Sequence, residues 1–131
     1  MIALMFAAAL AGQGDVAGAW RTPSRDGRVE ISHCGQSICG RLVDSEGLRA
    51  NPGLKDTANK NAALRNRPLK GVQLLGGFKG GPQQWTGGTI YNPEDGGTYH
   101  AKVTLTSPNE LKVQGCIVAP FCKTQTWTRV R

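Results

Sequence analysis

Four cysteines carry the most reactive side chains in this sequence, and their spacing limits the chemistry available to them. Four residues separate Cys34 from Cys39, and five separate Cys116 from Cys122. Zinc sites usually place about two to four residues between ligands and add histidines, whereas thiol redox centres use a C-x-x-C pair. Neither pattern is present. Four cysteines allow three pairings, and two local disulfides fit this sequence best, with no metal site.

The first cysteine pair lies in a predicted β-hairpin formed by RVEISHC and ICGRLV. A two-residue turn at 36–37 sets Cys34 opposite Cys39 and Ile31 opposite Leu42. Directly opposed residues have Cβ atoms about 4.5 to 5.5 Å apart, which is close to disulfide range.

The same argument applies to ELKVQGCIVAPFCKTQTWTRV, where we predict a turn over 118–120. Three cross-strand pairs then follow: Cys116 with Cys122, Val113 with Gln125, and Leu111 with Trp127.

Acid–base catalysis would have to draw on His33, His100 and nine carboxylates. Strand alternation puts His100 on the solvent side, whereas His33 is in phase with the apolar Ile31. The sequence has no H-E-x-x-H, G-x-S-x-G or phosphate-loop motif, and bridged cysteines are not nucleophiles. We therefore expect no enzymatic activity, no catalytic residue and no cofactor.

The N-terminal residues 1–14 resemble a secretory signal, because an apolar run ends near an A-x-A cleavage pattern. The alternative is an apolar first strand. A membrane-spanning helix needs about 20 apolar residues, and no segment has them, so we expect a protein that does not span a membrane. Residues 15–131 are predicted to form a single domain, which we expect to be monomeric and exported.

The formal charge of +7 falls entirely after residue 14, which favours acidic partners. The cations are nevertheless dispersed, with 64–70 (LRNRPLK) the one dense cluster, and no basic–aromatic motif predicts a nucleic-acid partner. Arg65 and Arg67 in this cluster either contact an anionic group at the mouth of a site or hold their own segment in place. In the second case they bond to backbone carbonyls or to Asp56.

Eight short strands position these residues, which favours an all-β meander closed into a small barrel. They span 16–22, 28–34, 38–43, 69–79, 84–92, 98–106 and the two halves of 110–130. Glycine pairs at 76–77 and 87–88 indicate bulges or sharp bends. The insertion 45–68 lacks alternation, and Asp56 is predicted to cap a helix running to Asn66. This insertion is either a functional lid or a plug over one barrel end.

Alternation predicts which side chains line the barrel interior, with Tyr91 opposite Tyr99. The candidate cavity residues are Trp85, Tyr91, Tyr99, Val103, Val113, Gln125, Ile31 and Leu42. Such a face is apolar with a few polar groups, as small-molecule pockets generally are. An eight-stranded barrel can equally fill with its own side chains.

Gly18-Ala19-Trp20 opens the first strand and Arg129 lies in the last. This arrangement resembles the lipocalin and calycin signature, which implies that Trp20 and Arg129 form a structural plug at the closed barrel end. The segments GAWRTP, WTGGTIYNPEDGG and TQTWTRV occur in this order, and the sequence thereby resembles the uncharacterised bacterial envelope family called domain of unknown function 2147. The resemblance implies a lipocalin-like barrel in the bacterial periplasm or outside the cell, and it brings no established ligand or reaction.

The resulting hypothesis is an exported lipocalin-like barrel that binds a small, largely hydrophobic molecule. The alternative is an envelope interaction module with a filled barrel. Such a module would bind a partner protein or an anionic envelope component through its basic surface and residues 45–68. An undiscovered hydrolase or isomerase is the third hypothesis.

Overall fold

The computed structural model describes residues 14–118 and 120–131. The strands in these ranges are β1 (Gly18–Arg21), β2 (Arg28–Cys34), β3 (Ser37–Asp44), β4 (Gln73–Gly76), β5 (Lys79–Gly80), β6 (Gln84–Asn92), β7 (Gly97–Ser107), β8 (Glu110–Val118) and β9 (Phe121–Arg129). Helix α1 spans Glu46–Ala50, and a 3-10 turn spans Ala62–Leu64. The predicted signal segment 1–14 lies outside the described residues, apart from Gly14.

The strands form one antiparallel sheet that closes on itself. Neighbours follow the order β4-β3-β2-β1-β9-β8-β7-β6-β5, and β4 also pairs with β6. The two-residue strand β5 follows β4 along β6, so eight strands complete the ring. The predicted eight-stranded up-and-down barrel is therefore confirmed.

The two ends of the barrel carry different connections. One end, here called the connection end, carries residues 22–27, 45–72, 93–96 and the β8–β9 turn. The opposite end, called the plug end, carries residues 15–17 and the β2–β3 and β7–β8 turns.

The first hairpin forms in a different register from the predicted one. Its turn lies at 35–36, where the glycine has a φ of 66°, a left-handed conformation that only glycine adopts without steric cost. Cys34 therefore pairs with Ser37 and not with Cys39. The Cys34–Cys39 disulfide is present, and it crosses the hairpin diagonally with Cα atoms 5.9 Å apart.

This register also changes the apolar pairs. Ile31 lies opposite Gly40, and Leu42 lies opposite Val29, so the predicted pair of Ile31 with Leu42 is wrong. A Cβ atom on Gly40 would lie 3.0 Å from Leu75 Cδ1 and 3.1 Å from Val29 Cγ1. The absence of a side chain at Gly40 thus lets these two residues meet inside the barrel.

The second hairpin has the predicted register. Its pairs include Cys116 with Cys122, Val113 with Gln125, and Leu111 with Trp127. The Cys116–Cys122 disulfide is present, and Val118 pairs with Phe121 at the tip. Residue 119 in the predicted turn lies outside the described residues.

Strand β6 contains a bulge that reverses its alternation. Trp85 pairs with Val103 and Gly88 with Ala101, so two residues of β6 lie opposite one of β7. An extra residue moves every later side chain to the other face. Tyr91 consequently faces outward, and the predicted pairing of Tyr91 with Tyr99 is wrong. The observed pairs are Tyr91 with Thr98 and Ile90 with Tyr99.

The 45–68 insertion folds differently from the prediction. Helix α1 begins after Ser45, whose side chain accepts a hydrogen bond from the Leu48 backbone N–H. The helix predicted over 56–66 does not form, and Asp56 caps none. Asp56 instead is 1% exposed, and its backbone N–H donates to the Arg67 carbonyl.

Large apolar side chains occupy the interior face of the barrel. All three tryptophans of the sequence are at most 5% exposed: Trp20, Trp85 and Trp127. They belong to one contiguous cluster with buried residues of every long strand. A small eight-stranded barrel is just wide enough for its own side chains to fill.

Candidate functional site

A buried carboxylate on the outer side of the barrel organises the insertion. Asp56 Oδ1 accepts a hydrogen bond from the Tyr91 hydroxyl at 2.6 Å. Its other oxygen, Oδ2, accepts from Asn59 Nδ2 at 2.9 Å and from Arg67 Nε at 2.9 Å. These four side chains, called the Asp56 cluster below, connect the insertion to β6.

The electrostatics of the cluster keep Asp56 charged and Tyr91 neutral. Burial alone would raise the pKa of Asp56, but the hydrogen bonds from Tyr91, Asn59 and Arg67 outweigh it and lower that pKa. Burial, followed by the hydrogen bond to Asp56, raises the pKa of Tyr91 to about 12. The cluster is therefore stable as one carboxylate held by one cation and two neutral donors.

Arg65 and Arg67 both hold their own segment in place, which is the second of the two predicted alternatives. Arg65 Nε donates to the Asn59 backbone carbonyl at 2.7 Å. Arg67 pairs with Asp56, and its guanidinium carbon lies 5.6 Å from the centre of the Tyr91 ring. They hold the segment against the barrel wall.

A pocket lies beside this cluster, between the insertion and strands β4 and β6. Its volume is about 470 Å³, and it opens to solvent. The insertion contributes apolar, amide and basic groups, including Leu64, Asn59, Asn61, Lys60 and Arg67. The barrel wall contributes outward-facing residues, including Leu74, Thr89, Tyr91 and Thr98. This volume falls within the usual range of small-molecule sites.

A second pocket of about 370 Å³ lies on the other side of Arg67. Its lining includes three cations, Arg41, Arg67 and Lys70, and no carboxylate. Arg41 also donates to the Gly71 carbonyl at 3.1 Å. Because Arg67 pairs with Asp56, Arg41 and Lys70 are the cations that this second pocket offers to a negatively charged group.

Most of the predicted cavity residues lie in the packed interior. Five of them are at most 6% exposed: Trp85, Val103, Val113, Ile31 and Leu42. The amide oxygen of Gln125 accepts a hydrogen bond from Trp127 Nε1. The structure brings Tyr91 and Arg67 together in the outer pocket and separates them from this group.

Tyr99 lies near the connection end and does not reach the Asp56 cluster. It is half-buried, and its hydroxyl donates to Asp95 Oδ2 at 2.6 Å. This hydrogen bond lowers the pKa of Asp95 and raises that of Tyr99.

At the plug end, Arg129 covers Trp20. The guanidinium carbon lies 4.4 Å from the ring centre, and the arginine donates to the carbonyls of Asp15, Ala17 and Pro108. Burial lowers the pKa of Arg129.

The neighbouring His33 was predicted to share a face with Ile31. It lies at this rim, about half exposed, with Nε2 3.0 Å from Asp15 Oδ1.

Two further observations concern the described residues alone. They contain no group of three or more histidine, cysteine, aspartate or glutamate side chains arranged to hold a metal ion. None of their helices is long and apolar enough to cross a membrane.

Sequence reasoning did not identify Asn59, and it gave Asp56 the wrong main role. Neither residue sits in a periodic pattern, and the Tyr91 partner is 35 positions away in the sequence. The available signal was the paired charge of Asp56 and Arg67 within one irregular segment.

Comparisons with known proteins agree with this architecture. Residues 18–129 match the family model described as "Uncharacterized protein conserved in bacteria (DUF2147)". The structure is similar to that of protein HP1028 from Helicobacter pylori, described as belonging to the lipocalin family. The two share 26% sequence identity with a TM-score of 0.79, and the match covers 90% of this chain and 84% of that chain. A search of curated proteins finds no match. Because the family model spans most of the sequence, the chain belongs to the bacterial DUF2147 family, and its fold is a lipocalin-like barrel.

Proposed function

We propose that this protein binds a small molecule with an apolar body and an anionic group, in the pocket of about 470 Å³ between the insertion and β6. Lipocalin-like barrels suggest small-ligand binding in general. The single observation that carries this placement is that the outer pocket combines apolar and cationic groups around Arg67, while the interior candidates are packed.

The chemistry of the lining determines the ligand class. Leu64 and Leu74 offer apolar contacts, and the threonine hydroxyls of the barrel wall offer hydrogen bonds. Lys60 and Arg67 supply positive charge to the same pocket. Because Arg67 already pairs with Asp56, Lys60 is the cation available to an acidic group of the ligand.

A pair of matched variants tests this location. Thr89 is exposed and lines the pocket, whereas Thr86 is exposed on the same strand outside it. Thr89→Trp should fill the pocket and weaken binding by about tenfold or more, because a bulky ring displaces the apolar part of the ligand. Thr86→Trp should leave binding unchanged.

The probes are decanoate and decanol, which share a chain and differ in charge. Isothermal titration calorimetry should show tighter binding of decanoate, and Lys60→Gln should remove that preference. Equal effects of Thr89→Trp and Thr86→Trp, or no uptake of either probe, would contradict the proposal.

We also propose that the protein works outside the cytoplasm as a monomer. The two disulfides, Cys34–Cys39 and Cys116–Cys122, fit an oxidising compartment. Cell fractionation, together with the intact mass and sedimentation of the purified protein, tests compartment, signal removal and oligomeric state. A cytoplasmic, reduced chain would contradict export.

A further inference from the structure

Three large apolar side chains at the tip of the β8–β9 hairpin are exposed to solvent. Ile117 is 71% exposed, Val118 59% and Phe121 70%. Elsewhere in the described residues, the exposed large hydrophobic residue is Leu64, at 37%. Three such residues on one turn are a concentrated apolar patch, and patches of this kind mark interaction sites.

This tip extends past the end of β1 and is braced. Strand β9 pairs with β1 only through its last residues, 128–129, whereas its ladder with β8 continues to Val118 and Phe121. The Cys116–Cys122 disulfide ties the two strands just behind the apolar residues. Because the hairpin is held before binding, little conformational entropy is lost when its tip docks.

The basic groups near the tip are lysines. Of the four cations in residues 111–131, Lys123 lies close to the tip, whereas Lys112, Arg129 and Arg131 lie toward the plug end. On the neighbouring strand, Lys102 pairs with Gln114, while Lys123 pairs with Gly115 close to the tip. An apolar tip flanked by cations matches the chemistry of a bilayer surface with acidic headgroups.

We propose that the β8–β9 tip docks on an anionic phospholipid membrane, with Ile117, Val118 and Phe121 entering the interface between headgroups and acyl chains. A stable protein–protein interface needs about 800 Å² per partner, which three side chains on a convex turn cannot supply. A bilayer accepts a narrow apolar wedge, and the nearby lysines add attraction to its surface charge.

Vesicle sedimentation with the full chain tests this proposal. The probes are vesicles of equal parts phosphatidylglycerol and phosphatidylcholine, and vesicles of phosphatidylcholine alone. We expect binding to the anionic vesicles that weakens with salt. The double variant Ile117→Ser/Phe121→Ser should reduce it about tenfold or more. Thr86→Ser, a change at an exposed residue outside both the tip and the pocket, is the control and should keep full binding.

A second variant reports insertion directly. In Phe121→Trp, emission from the new indole should be quenched by brominated lipids, whereas the native tryptophans are buried and should not respond. Absence of wild-type binding to anionic vesicles, equal losses in the tip and Thr86 variants, or an unquenched indole would each overturn the proposal. A soluble dimer that does not bind vesicles, and that the double variant Ile117→Ser/Phe121→Ser converts to a monomer, would also overturn it. The tip would then bind a second copy of the chain.

Discussion

Replacing Tyr91 by phenylalanine tests the account of the Asp56 cluster most directly. The substitution keeps the buried ring under Arg67 and removes only the hydroxyl, which donates to Asp56 at 2.6 Å. Hydrogen bonds to charged groups contribute about 1.5 to 3 kcal/mol. We therefore expect Tyr91→Phe to lower the free energy of unfolding by about that amount at neutral pH.

The same hydroxyl predicts a stability loss in alkali. The pKa of Tyr91 is raised from 10.0 to about 12, so the unfolded chain ionises this tyrosine before the folded protein does. The stabilisation is complete below pH 10 and declines as the pH rises toward 12. Because one pKa unit corresponds to about 1.4 kcal/mol, the wild type should lose about 1.4 kcal/mol by pH 11 through this group. Tyr91→Phe should not show this component.

The sequence makes the assay clean because it has only two tyrosines. Tyr99→Phe leaves Tyr91 as the sole titrating phenol, and its ionisation can be followed by tyrosinate absorbance. Urea denaturation at pH 8 and pH 11 then supplies the free energies. A Tyr91 midpoint near 10 in Tyr99→Phe, or a Tyr91→Phe protein within about 0.5 kcal/mol of wild type, would refute the reasoning.

Three further substitutions extend the test to other parts of the fold. Asp56→Asn keeps the shape but removes the charge, and should destabilise by about 2 kcal/mol or more. Because the folded pKa of Asp56 is lowered, this difference should be complete above about pH 4 and shrink in acid, as urea titrations at several pH values will show. Gly88→Ala puts a Cβ atom 2.5 Å from the buried Phe78 ring, so thermal denaturation should show a loss of about 1 to 3 kcal/mol. Arg129→Met keeps an aliphatic contact with Trp20 but removes the bonds to three carbonyls, and urea denaturation should show a loss of at least about 2 kcal/mol.

The two hairpins show how far register can be derived from a cysteine pair. The same argument, that bonded cysteines lie opposite each other, is right for Cys116 and Cys122 and wrong for Cys34 and Cys39. A disulfide tolerates both direct and diagonal cross-strand partners, so it cannot by itself fix a register. At the first hairpin, Gly35 determines the register, because it can adopt the positive φ that the turn at this position requires.

Strand β6 shows why alternation fails past a bulge. The glycine pair at 87–88 indicated a bulge or bend, and the structure has a bulge there. The interior residues before it, such as Trp85, are assigned correctly by simple alternation. Beyond it the phase reverses, which moves Tyr91 outward to the Asp56 cluster. A two-residue periodicity gives the right face only when the insertion of each extra residue is counted.

The insertion could be predicted least, because polar contacts between distant segments hold it. Its irregular course agrees with the missing alternation, and the Arg67–Asp56 bond is one of the alternatives predicted for the arginines. The burial of Asp56 depends on its contact with Tyr91, and Tyr91 reaches Asp56 only because the β6 bulge turns it outward. Without the bulge in the predicted register, the sequence therefore does not place Tyr91 beside the insertion.

The position of the Asp56 cluster links the stability of the fold to the proposed ligand binding. Eight strands limit the interior volume, and the three tryptophans are buried. The two pockets lie instead on the outer side of the barrel, on either side of Arg67. Because Asp56 holds Arg67 in place, loosening the cluster should widen both pockets. The proposed ligand binding should then weaken. A ligand that binds only the folded insertion should in turn stabilise the whole barrel, by an amount that rises with ligand concentration. The proposed binding, the order of the insertion and the stability of the fold should therefore be coupled through one buried carboxylate.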